Sequence, residues 1–139
     1  MYKFKYFPQS YSEENFRFGK DCRDLAAEIF KASASAPKEY RFTLCKKMHD
    51  VCCDLIYTAR AANAYPLGSE ERKEEQRKII ELLLRIDDLL PILRRCRCIS
   101  LTDESALTKR VGSTKIRFEK WLDSDIYRIN KMRHEAKKG

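Results

Sequence analysis

Apolar residues recur at three- and four-residue steps in four stretches of this chain, and short breaks separate the stretches. That period is the signature of one buried helix face. The first stretch spans Ser12–Ser35, with Phe18, Cys22, Leu25, Ala26, Ile29 and Phe30 on its stripe. Ser12, Glu13 and Glu14 suit a helix start, where carboxylates meet the positive end of the helix dipole. Pro37 ends it, because the residue before proline avoids the α region. The second stretch spans Lys38–Tyr65, with Cys45, Met48, Cys52, Leu55, Ile56, Ala59 and Ala62 on its stripe. Tyr65-Pro66-Leu67-Gly68 breaks it.

The third stretch opens at Ser69, a good N-cap followed by Glu70 and Glu71. Ile79, Leu83, Ile86, Leu90 and Leu93 make its main stripe, while Ile80, Leu84 and Leu82 widen the apolar girth. A helix apolar over so much of its surface is central or covered on two sides, and the second cover could be another subunit. Pro91 is expected to kink this helix or end its regular part. The fourth stretch starts near Thr102, with Asp103 and Glu104 in its first turn. Leu107, Val111, Phe118, Trp121, Leu122, Ile126 and Ile129 follow the helical period, and Gly112 inside it suggests close packing. The connections at 36–38, 66–69 and 99–102 are too short for crossovers. The pattern therefore predicts an all-α, antiparallel up-down four-helix bundle over residues 12–130. An N-terminal arm, 1–11, precedes it, and a basic tail, 131–139, is expected to fray.

Composition sharpens this picture. Only 4 Gly and 4 Pro punctuate 139 residues, too few turn formers for an all-β fold. No apolar run is long enough to cross a membrane. Met1–Pro8 is aromatic and basic without an apolar h-region, so a cytoplasmic protein with reduced thiols is expected. The net charge of +8 is unevenly spread. Residues 1–93 hold 16 Lys/Arg against 15 Asp/Glu, and residues 94–139 hold 13 against 6. A one-sided positive field attracts polyanions such as RNA, DNA or an acidic protein face.

Little in the chain points to catalysis. Cys22, Cys45, Cys52, Cys53, Cys96 and Cys98 lack the paired spacing of a zinc site, and Cys45 and Cys52 share one helix face as small core residues. His49 falls beside the second core stripe and His134 in the basic tail, neither near a nucleophile. Asp87-Asp88 reads as a solvated pair, and no Glu-x-x-His pair for a di-iron site or glycine-rich phosphate loop occurs. No cofactor, no metal and no enzymatic activity are expected. Arg41 could bind a ligand or serve as a buried partner for a carboxylate.

What remains is basic surface. Arg94, Arg95 and Arg97 crowd the end of the third stretch, and Arg110, Lys115, Arg117 and Lys120 lie along the fourth. On a helical wheel Arg110, Arg117 and Lys120 fall on neighbouring angles, with Lys109 on a different side. These seven are the candidate phosphate-binding residues; the alternative is a solvated helix face.

Pro37-Lys38-Glu39-Tyr40-Arg41-Phe42-Thr43-Leu44 leads into an aliphatic helix ending Ala61-Ala62-Asn63. The leucine-rich Ile79–Leu93 follows, then a turn at Leu101 and a last helix with Gly112 and Trp121. Over residues 16–124 this order resembles the Avd-like four-helix-bundle family, the accessory variability determinants of diversity-generating retroelements. These are relatives of the bundle proteins encoded in 23S rRNA intervening sequences. Where the family often has glycine immediately before the tryptophan, this chain has Glu119-Lys120. The resemblance implies a non-enzymatic, basic homopentamer that binds template RNA or cDNA and a reverse transcriptase to support mutagenic reverse transcription. The related alternative is an intervening-sequence-type oligomer with a structural or general nucleic-acid-binding role.

Overall fold

A computed structural model describes residues 15–138. The expected arm 1–11 and the cap at Ser12, Glu13 and Glu14 lie outside the described residues. Four long helices and one single-turn helix are present: α1 Arg17–Ala32, α2 Lys38–Arg41, α3 Leu44–Ala64, α4 Glu70–Arg95 and α5 Leu101–Lys138. No strand occurs among the described residues. α1 packs on α3 and α5, and α4 also packs on α3 and α5, while the backbones of the diagonal pairs stay apart. The four long helices thus close a ring around one core, a four-helix bundle.

The apolar stripes form that core. Phe18, Cys22, Leu25 and Ile29 of α1 are buried with Met48, Cys52, Leu55 and Ala59 of α3. Ile79, Leu83, Ile86, Leu90 and Leu93 of α4 and Leu107, Val111 and Phe118 of α5 complete it. Burying a Leu, Ile or Phe side chain contributes about 1.5–3 kcal/mol each, so these stripes drive assembly. Aromatic rings concentrate at one end: Trp121 stacks on Phe18 with centroids 5.5 Å apart, and Phe16 lies 4.8 Å from it.

Local chemistry sets the helix ends. Ser69 Oγ accepts the Arg72 amide at 3.2 Å, as its N-cap role requires. At α5, the Asp103 amide donates to Ser100 Oγ and the Ser100 amide to Asp103 Oδ2, a reciprocal capping box. The expected second segment is divided at Phe42-Thr43 into α2 and α3. Phe42 is exposed there, and Thr43 Oγ1 reaches back to the Glu39 carbonyl, a bond that competes with helix continuation. Arg41 lies at the surface and its Nε donates to the Ala36 carbonyl, so its partner is backbone, not a buried carboxylate.

Other expectations are corrected. Pro91 does not end α4, which continues to Arg95. Pro91 is on the exposed side, where water can meet the Asp87 carbonyl that proline leaves without a donor. Gly112 marks no close packing among the described residues: a Cβ there would meet none of their atoms within 4 Å outside its own helix. Ile126 is exposed, because Asp125 occupies the neighbouring core position. Residues 131–138 continue α5 as helix, so that α5 is about 57 Å long against about 39 Å for α4.

Candidate nucleic-acid interface

The seven candidate cations and a buried eighth, Arg72, fall into three groups that differ in what surrounds them. The first is buried. Arg72 stands on the core stripe of α4 and is almost fully covered. Its Nε and Nη2 donate to both oxygens of Asp125 at 2.7 and 2.9 Å, and Nη1 donates to the carbonyls of Ala62, Asn63 and Tyr65. The guanidinium also lies 5.2 Å from the Trp121 ring centroid. Gln76 and Arg128 complete the shell around Asp125 at 2.9 and 2.8 Å. Burial alone would push the Asp125 carboxyl up, but the hydrogen bonds from Arg72, Gln76 and Arg128 prevail and hold it below its ordinary value. The cluster joins the end of α3, the start of α4 and the middle of α5. Sequence reading missed it, although a signal existed: Arg72 and Asp125 sit seven residues from Ile79 and Phe118, at core positions of two apolar stripes.

The second group is paired across helix boundaries. Arg110 meets both oxygens of Glu28 at 2.8 Å, and Arg117 meets Asp21 at 3.1 Å, so both point at α1. Lys115 pairs with Asp87, and Arg94 meets Glu104 at 3.1 Å, which joins α4 to α5. Four of the seven candidate phosphate-binding residues therefore have carboxylate partners and face two different sides of α5. They are partly exposed, so each pair contributes at most about 1 kcal/mol.

Arg95, Arg97 and Lys120 make the third group: all are exposed and none forms an ion pair among the described residues. Arg97 is distinctive. It is the one non-glycine residue at positive φ among the described residues, at 60°. The Cys98 amide bonds the Leu93 carbonyl at 2.8 Å and the Arg97 amide bonds that of Arg94 at 3.0 Å. This is a Schellman ending, which usually places glycine where Arg97 stands. A side chain in that conformation costs about 1–2 kcal/mol.

Arg97 borders a cleft of about 420 Å³ with Arg94, Ser100 and Asp103. Through Ala32, Ser35 and Asp103 it joins a wider cleft of about 780 Å³ between α1 and α5, lined also by Lys31, Lys109 and Arg110. Lys109 and Lys120 do not lie on different sides of α5: eleven residues at about 100° each leave them about 20° apart. An open, largely cationic cleft with a few carboxylates can hold phosphate groups by charge and hydrogen bonding. The buried Cys98 thiol also lines the smaller cleft.

The remaining candidates have structural surroundings. His49 Nε2 is 3.1 Å from Ser33 Oγ, its ring abuts Phe30 at 4.5 Å, and burial lowers its pKa. The Ser33 hydroxyl donates to the Ile29 carbonyl at 2.8 Å, which leaves it an acceptor toward the imidazole. All six cysteines are thiols. Burial pushes Cys52 up to about 12, and burial together with a hydrogen bond to Cys45 does the same to Cys98. Neither is a thiolate near neutrality. No group of three or more His, Cys, Asp or Glu among the described residues could hold a metal ion. No helix among them is long and apolar enough to cross a membrane. Compared with protein-family models and with curated proteins, the chain matches none.

Proposed function

We propose that this protein is a nucleic-acid-binding accessory bundle of the Avd type, acting without catalysis of its own. One observation carries the reading: Arg95, Arg97 and Lys120 are exposed and form no ion pair among the described residues, and Arg97 stands at a positive φ that usually belongs to glycine. The Schellman bonds of the turn would form equally well with glycine, so the Arg97 side chain is a place to look for an external ligand. Phosphates are the matching ligand for unneutralised arginine and lysine. The resemblance around Pro37–Leu44 and the order of the helices supply the biological setting: template RNA or cDNA as polyanion, a reverse transcriptase as protein partner, and the cytoplasm as compartment.

The same reading takes the four long helices as an antiparallel up-down circuit. Asp21 and Glu28 meeting Arg117 and Arg110, in falling order, support that direction for α1 and α5. It also takes the protein as a homo-oligomer, a pentamer by the resemblance. Ile80 and Leu84 are about half exposed on α4, and Ile80 lies about 20° on the wheel from Asp87, which faces α5. These two side chains, with exposed Ile116, are the subunit contact we favour.

The test is anisotropy of a fluorescein-labelled RNA hairpin between 50 and 200 mM salt. Binding that weakens steeply and linearly in log salt supports the reading. Well-folded protein that leaves the RNA unbound at 50 mM salt contradicts it. A neighbouring reverse transcriptase gene with template and variable repeats favours the retroelement role, and an rRNA operon favours the intervening-sequence alternative.

A further inference from the structure

The end of α5 that outruns the bundle has no role in the core. A Cβ built on Gly68 would lie 3.8 Å from the Ile129 side chain, and every residue beyond Ile129 to Lys138 is exposed. Deleting a solvated, core-free overhang would cost the fold little, yet it is built as regular helix and carries Lys131, Arg133, Lys137 and Lys138 against one carboxylate, Glu135. None of these four cations forms an ion pair among the described residues. Nearer the bundle, Arg110, Lys115, Arg117 and Arg128 of α5 are paired with carboxylates, while Lys109 and Lys120 form no ion pair among the described residues.

Helical geometry orders the overhang. Successive steps of 7, 4 and 7 residues connect Lys120, Tyr127, Lys131 and Lys138. At about 100° per residue these four stay within about 40° of one another, on the side of α5 turned away from Val111 and Phe118. Tyr127 is 68% exposed, so its ring is offered to solvent between lysines. Asp123 and Glu135 border the line without entering it. The line is about 27 Å long, the length that about eight nucleotides of a stacked strand cover at about 3.4 Å each.

We propose that this outward line of α5 is a rail for single-stranded nucleic acid, with Lys120, Lys131 and Lys138 on phosphates and the Tyr127 ring stacked on a base. The inference rests on the nucleic-acid reading above and adds which strand form binds and where. Alternating cations and an exposed aromatic ring fit a strand with unpaired bases, since a duplex hides its base faces. Lys109 falls on the same line and borders the wide cleft, so the rail leads from the bundle surface to the helix tip.

The experiment measures binding of a fluorescein-labelled 20-nucleotide oligouridylate and of an equally long RNA duplex to the full-length chain. Tyr127→Ala is expected to weaken oligouridylate binding about 5- to 160-fold, from the loss of one stacked base. Tyr127→Phe is expected to retain it, and duplex binding to change little in either variant. The triple variant K120Q/K131Q/K138Q is expected to lower the single-strand salt slope by about 2. Unaltered thermal unfolding shows that the exposed substitutions spare the bundle. Tyr127→Ala binding oligouridylate like wild type, or the triple variant keeping its slope, overturns the rail while leaving nucleic-acid binding in place. Wild type binding neither RNA overturns both.

Discussion

Arg72 and Arg97 carry the same guanidinium, and the bundle treats them in opposite ways. Arg72 is buried, donates to a carboxylate and three carbonyls, and lies against an indole. Arg97 is exposed on a left-handed turn, with no ion pair among the described residues. All three nitrogens of the first guanidinium donate to groups that hold three helices at one end. The second stands at the other end with its charge available. A count of basic residues cannot tell these apart, and only the uncommitted ones can neutralise a phosphate without first breaking a contact of the fold.

The largest effect should come from breaking the committed end. Asp125→Ala leaves Arg72 charged and buried without its partner, and is expected to lower stability by about 3–5 kcal/mol in urea unfolding. Replacing both, as R72M/D125L, should recover much of that loss. The sign of the pH effect follows from the same pair. Asp125 has a folded pKa below its unfolded value, so its contribution is complete above pH of about 4 and disappears as pH falls through the folded value. Acid unfolding of Asp125→Asn should lack that component.

The uncommitted end gives a smaller and opposite result. Arg97→Gly relieves the left-handed strain and is expected to raise stability by up to about 1 kcal/mol, while weakening RNA binding. A variant that is more stable but binds less is the signature of a residue kept for a ligand. A loss of stability would show instead that Arg97 holds the turn. The smallest effect concerns His49, whose pKa burial lowers below 6.5. Its folded state disfavours the proton, so stability should be complete above pH of about 6.5 and decline as pH falls below it. His49→Gln should flatten that part of the profile in thermal unfolding.

The periodicity of apolar residues was enough to find the four long helices and nearly all of the core, because each stripe needs only local spacing. It could not find contacts between distant residues. The pairing of Arg72 with Asp125 spans 53 positions, and that of Arg110 with Glu28 spans 82. Four of seven candidate phosphate ligands therefore looked available in the sequence and are neutralised in the fold. Of the two outcomes expected at Pro91, an end to the helix does not occur, since a proline on the solvated side of a packed helix need not end it. The frayed tail was expected from polarity alone, whereas α5 carries helix through it.

In the proposed function, uncommitted cations rather than basic residues in general would meet the polyanion. The most direct measurement is the salt slope of RNA hairpin binding for two variants compared with wild type. R95Q/R97Q/K120Q removes three uncommitted charges and should lower the slope by about 2–3. D21N/E28Q/R110Q/R117Q removes two committed pairs at constant net charge and should leave the slope unchanged. The reverse outcome, a slope lost with the pairs and kept without Arg95, Arg97 and Lys120, would contradict the account.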